Sequence, residues 1–306
     1  MRSESGLAPL YSVAAAVSVL SIMDALIKDL SGTFTIAQIV TLRYGFGMLA
    51  AVPFFIMLTS PRLSANAFRT GFVRSLAIVA TASSFFYALS VLPLAVAVTI
   101  AFTAPLFLVL LGALVLKEPI TVQAIAGVFI GLLGVLLIMG PELVNGFGSE
   151  ASLSGYLAAL FASLGYAVAL VLTRLHSSHD APAAMVMVQT GFCALIVLPF
   201  GISAWTPPAT LDWGQALIVG CLGTFGHLLM AWGFSRAEAS RLGPIEYVAF
   251  LWAIVIGYFF FGEVPGWWVL SGAGLIILAC VVVARRPAAP NSAGALMDEI
   301  KSDGGN

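Results

Sequence analysis

Charge is what this sequence has least of: Asp, Glu, Lys and Arg make up 9% of its 306 residues, where an ordinary soluble domain carries about 25%. A chain so poor in charge cannot cover itself in water. The 60% hydrophobic content and the mean hydropathy of +1.05 therefore identify its solvent as lipid. A net charge of -1 leaves no basic surface for nucleic acid. Cysteine is scarce too, and Cys193, Cys221 and Cys280 all lie in apolar runs. They read as small packing residues, not as a disulfide framework or a zinc cluster. No GxxxxGK(S/T) loop is present, which excludes ATP hydrolysis by this chain. GxSxG, HExxH and any pair of acids spaced for a metal within one helix are missing as well. No metal or cofactor is expected.

What is present is a series of apolar stretches, each long enough to cross hydrocarbon roughly 30 Å thick. Ten are predicted, near 8–27, 35–58, 70–90, 94–116, 120–140, 153–173, 182–204, 213–234, 244–262 and 267–284. The alternation of a barrel is missing, so the fold class is all-α, a polytopic membrane protein. The first stretch runs on to Asp24 and Lys28 without a small-residue cleavage site, so it is kept as a helix rather than a signal peptide. The longest connection, Pro141 to Ser152, reads as a polar turn-forming segment, and residues 285–306 as a disordered tail.

Orientation follows from the thirteen basic residues. With a cytoplasmic N-terminus, Arg2, Arg62, Arg69, Arg74, Lys117, Arg174, Arg236, Arg241, Arg285, Arg286 and Lys301 all fall on or beside cytoplasmic segments. Lys28 alone falls outside, and Arg43 lies within a span. Both termini are expected on the cytoplasmic side of the inner membrane.

The sequence also repeats. A shift of 145 matches Ala104 with Ala249, Gly112 with Gly257, Glu118 with Glu263 and Gly127 with Gly272. A shift of 146 matches Lys28 with Arg174, Gly45 with Gly191 and Pro53 with Pro199. Five spans per copy is an odd number, so the second copy enters from the opposite face. The expected organisation is repeat 1 over 8–140, repeat 2 over 153–284 with inverted topology, and the tail. Secondary transporters carry this architecture, with a site near the midplane between the repeats.

Thr41-Leu42-Arg43-Tyr44 with Pro53, Ala104-Pro105, Lys117-Glu118-Pro119, and Gly127, Gly131 and Gly134-Val135 together resemble the EamA domain of the drug/metabolite transporter superfamily. The resemblance covers residues 8 to 284. It implies a cytoplasmic-membrane carrier of small metabolites such as amino acids, vitamins like riboflavin, or S-adenosylmethionine-like cofactors, with a central cavity lined by both repeats. The second copy departs from the pattern at Phe250, Val264 and Val188 or Gln189, which suggests asymmetric halves. Expected partners are a small-molecule substrate and membrane lipid, and a homodimer is compatible with the sequence. An intramembrane enzyme and a non-transporting scaffold are the rival classes; the first lacks a motif and the second lacks a soluble domain.

Ionisable groups in hydrocarbon are costly, so each deep one is a candidate site. Arg43 lies near the midplane, either as a fork for a substrate carboxylate or phosphate or as a structural anchor. His227, with Gly223 and Thr224 on its face, could carry a proton or bind substrate, or could bond a neighbouring helix. Asp24 shares a stripe with Ser21 and Lys28, and either lines the cavity mouth or pairs with Lys28. Glu246, at the third position of a helix capped by Gly243, is a substrate or proton site or answers the helix dipole. Tyr44, Tyr87, Trp232 and Tyr247 are candidate aromatic walls for a planar or cationic ligand, or ordinary packing. His227, Asp24 and Glu246 are the proton-coupling candidates. Trp205 and Trp267-Trp268 read as interfacial anchors, and Gly127 to Gly131 as helix packing.

Overall fold

The computed structural model describes residues 7–58, 65–115, 117, 122–145, 150–175, 182–236, 242 and 245–284. All regular structure among them is helical. The elements are α1 (Ala8–Leu30), α2 (Ile36–Leu58), α3 (Ala65–Val91), α4 (Leu94–Ala101), α5 (Ala104–Val115) and α6 (Val122–Ile138). There follow α7 (Gly140–Asn145), α8 (Glu150–Leu175), α9 (Pro182–Ser203), α10 (Thr210–Phe234), α11 (Val248–Phe261) and α12 (Trp267–Ala284). Seven stretches among the described residues are long and apolar enough to cross a membrane, and α6, α11 and α12 are shorter apolar helices. Large side chains such as Met57, Phe259 and Phe260 point outward, as expected where lipid replaces water.

Three differences from the sequence reading have local causes. The stretch at 94–116 is not one helix: α4 ends at Ala101 and α5 starts at Ala104. Pro105 has no N–H for the carbonyl of Ala101, and the backbone tightens there, with Thr103 N–H donating to Ile100 O at 3.0 Å. The connection after residue 140 is not wholly irregular, because α7 forms within it. Cys221 is exposed, whereas Cys193 and Cys280 pack in the interior. The tail and the Lys117-Glu118-Pro119 motif beyond Lys117 lie outside the described residues.

The helices pair across the two halves of the chain: α1 packs on α10, α3 on α8, α2 on α9 and on α10, α6 on α12, and α4 on α11. Glycine allows two of these approaches. A Cβ on Gly220 of α10 would lie 2.8 Å from the backbone nitrogen of Gly47 in α2, and Thr224 closes the seam by donating from Oγ1 to Gly47 O at 2.9 Å. A Cβ on Gly272 of α12 would lie 2.6 Å from the carbonyl oxygen of Gly134 in α6. Backbones this close gain dispersion contacts, the main attraction between helices in lipid. The α2–α10 seam brings the middle of α2 against the middle of α10.

Candidate functional site

Arg43 sits at that seam. Its side chain is only 4% exposed, and its guanidinium lies against the bare backbone of Gly223, where a Cβ would stand 2.9 Å from Nη2 and 3.0 Å from Nε. Cζ stands 4.1 Å from the centre of the Tyr44 ring, and Cys193, near Tyr44, donates to Ser75 O at 3.8 Å. Nε has no hydrogen-bond partner. A buried guanidinium normally needs an anion or several carbonyls. Among the described residues Arg43 makes no ion pair.

His227 is the group nearest its fork, with Nδ1 at 3.4 Å from Nη2. The same Nδ1 lies 2.6 Å from the carbonyl oxygen of Gly223. A carbonyl oxygen is only an acceptor, so Nδ1 carries the proton and donates to Gly223. The contact with Arg43 therefore opposes two donors and satisfies neither. This tautomer leaves Nε2 of His227 as the ring's acceptor position. Asp24, on α1, is within electrostatic range of Arg43 without being bonded to it.

Glu246 belongs to a second group. It precedes α11, whose N-cap is Tyr247; the Gly243 cap expected from the sequence lies outside the described residues. Around Glu246 are Tyr166 of α8, Tyr247 and Cys280 of α12. This group lies at the break between α4 and α5. Phe102 stacks edge-on to Tyr247 with ring centres 5.2 Å apart, Cys280 Sγ donates to Phe102 O at 3.4 Å, and Thr103 and Ser163 share a hydrogen bond of 2.9 Å.

Other candidates lie elsewhere. Tyr87 shares a hydrogen bond of 2.7 Å with Ser154 between α3 and α8. Trp232 carries the guanidinium of Arg236 over its ring at 4.2 Å. The pairing of Asp24 with Lys28 is overturned: Lys28 Nζ lies 3.0 Å from Glu263 Oε1. Spacing within α1 could not reveal a partner on another helix. Sequence reasoning also passed over Gly223 as the bed of Arg43, and over Tyr166, Thr103 and Ser163. Polar residues in the apolar stretch at 94–116 and in α8 were the available signal for these last three.

Comparison with known proteins agrees with this architecture. The model of the EamA-like transporter family matches residues 7–140 and again 153–285. The pseudopaline exporter CntI of Pseudomonas aeruginosa strain UCBPP-PA14 is 29% identical over 267 residues, covering 87% of this chain and 92% of that protein. Human solute carrier family 35 member G1 is 25% identical over 146 residues, covering 45% of this chain and 40% of that protein. A crystal structure of a protein at 20% identity shares the fold with a TM-score of 0.63, covering 94% of this chain and 100% of that one.

Proposed function

The chain belongs to the EamA-like transporter family, a multi-pass membrane transporter and not an enzyme, and we propose that it is a secondary carrier for a small metabolite that presents a carboxylate or similar anion to Arg43. The observation that carries this reading is a buried guanidinium whose Nε has no partner and whose Nη2 faces the donor Nδ1 of His227. A planar fork is built for a carboxylate or phosphate, and an anionic ligand would repay the cost of burying it. Asp24, near Arg43 but unbonded, would suit an ammonium on the same substrate, so a zwitterion such as an amino acid fits the pair best. A riboflavin-like vitamin or S-adenosylmethionine-like cofactor is the wider class.

Transport would proceed by alternating access in the inner membrane, with both termini cytoplasmic. Among the described helices, ten spans are counted when α4 and α5 are taken as one and α7 is left aside. Two inverted repeats, 8–140 and 153–284, are supported by the double family match and by the helix pairs. Exchanging the halves turns the pair α1–α10 into α8–α3, and maps α2–α9 and α6–α12 onto themselves.

Counterflow into proteoliposomes with labelled metabolites tests the reading. Compounds with a free carboxylate should compete for transport, and their methyl esters should not. Equal competition by acid and ester would remove Arg43 from substrate recognition.

A further inference from the structure

At the end of α1 a second charged centre joins four elements. Lys28 Nζ donates to Leu89 O at 3.0 Å and to Leu92 O at 2.5 Å, where α3 ends, and pairs with Glu263 Oε1 at 3.0 Å. The other carboxylate oxygen accepts the N–H of Leu94 at 2.7 Å, at the start of α4, whose N-cap Pro93 gives no side-chain cap. Each charge meets the helix end that suits it: a cation on the last carbonyls of α3, an anion on the first N–H of α4. Glu263 is aimed there by Gly262, which ends α11 at φ +65°, so that Glu263 N–H turns back to Gly257 O at 2.9 Å. Glu263 also lines a cavity of about 90 Å³, together with Pro93, Val96, Ala253 and Ile254.

We propose that Lys28 and Glu263 form the latch that holds this end of the bundle shut, and that parting of their ion pair is the opening step. This rests on the alternating-access reading above. The pair joins α1 of the first half to the end of α11 in the second. Its side chains are 13% and 20% exposed, so both charges can rehydrate as they part, unlike those of a fully buried pair. The repeat register matches Lys28 with Arg174 and Glu263 with Glu118. By register alone, a cation and a carboxylate recur at the matched positions of the other copy.

The test is the labelling rate of Val96→Cys by a charged maleimide, in purified full-length protein in nanodiscs with both faces accessible. The parent chain supplies the background from its own three cysteines. Glu263→Gln keeps an oxygen for Leu94 N–H and removes only the charge. It should speed labelling about tenfold, within the range of a typical conformational coupling. Lys28→Met should do the same, and Lys28→Arg should stay near the parent rate. Unchanged labelling in Glu263→Gln overturns the latch. So does acceleration that comes with a collapsed melting temperature, which would make the pair structural glue. The readout needs no substrate, so its failure is separate from failure of the carrier reading.

Discussion

Arg43 and His227 face each other as two donors, with Nη2 and Nδ1 3.4 Å apart, because the imidazole proton is already committed to Gly223 O at 2.6 Å. Gly223 is the hinge of this arrangement: its carbonyl fixes the imidazole and its missing side chain makes room for the guanidinium. His227 therefore does not satisfy the guanidinium, and Nε of Arg43 is left without a partner.

The first prediction concerns the fork. Arg43→Lys keeps the charge but not the planar pair of N–H groups. Apparent substrate affinity should fall by about tenfold to a hundredfold, the value of one or two charged hydrogen bonds. Normal insertion and an unchanged melting temperature should accompany the loss. If expression falls in parallel with activity, Arg43 is a structural anchor.

Gly223→Ala should be as damaging as a change in Arg43 itself. The new methyl would meet Nη2 and the sulfur of Met23 each at 2.9 Å. Overpacking of that kind costs about 1–3 kcal/mol and would displace the guanidinium. Gly214→Ala, on the same helix but with nothing within 4 Å of the added carbon, is the control and should keep full activity. Equal transport by both variants would mean that the bed of Arg43 is not part of the site.

Orientation has its own test. A reporter active only outside the cytoplasm and fused at Asn306 should stay dark, and Asn145→Cys should react with an impermeant reagent from outside. A lit reporter would reverse the positive-inside assignment.

The helices were legible because hydrocarbon imposes length and apolarity on each one separately, and α1, α2, α9 and α12 lie close to where the runs placed them. Cross-helix relations were not legible. The local spacing offered Asp24 as the partner of Lys28, and packing supplied Glu263 instead. Glu263 had entered only as a register match to Glu118. Arg43 and His227 were each visible as costly polar groups, yet their meeting depends on Gly47 and Gly220 letting α2 and α10 touch. No periodicity within either helix encodes that contact. The break at Phe102–Thr103 had its cause in view, since Pro105 stood in the quoted motif.

The last prediction concerns energy coupling, for which His227, Asp24 and Glu246 are the candidates. His227 lies at the Arg43 centre, so a proton taken up at its free Nε2 would place a second cation beside the substrate anion, and its release would withdraw that attraction. Substrate and proton would then move together in thermodynamic linkage. His227→Gln can still donate to Gly223 O from its amide, but it cannot ionise. Accumulation against a gradient should be abolished, while downhill exchange continues within a few-fold of the parent rate. Both are measured in the same proteoliposomes with and without an imposed pH gradient. Full uphill transport by His227→Gln with the parent's pH response would move the role to Asp24 or Glu246. Asp24→Asn and Glu246→Gln, assayed in the same way, would then distinguish the group beside Arg43 from the group at the α4–α5 break.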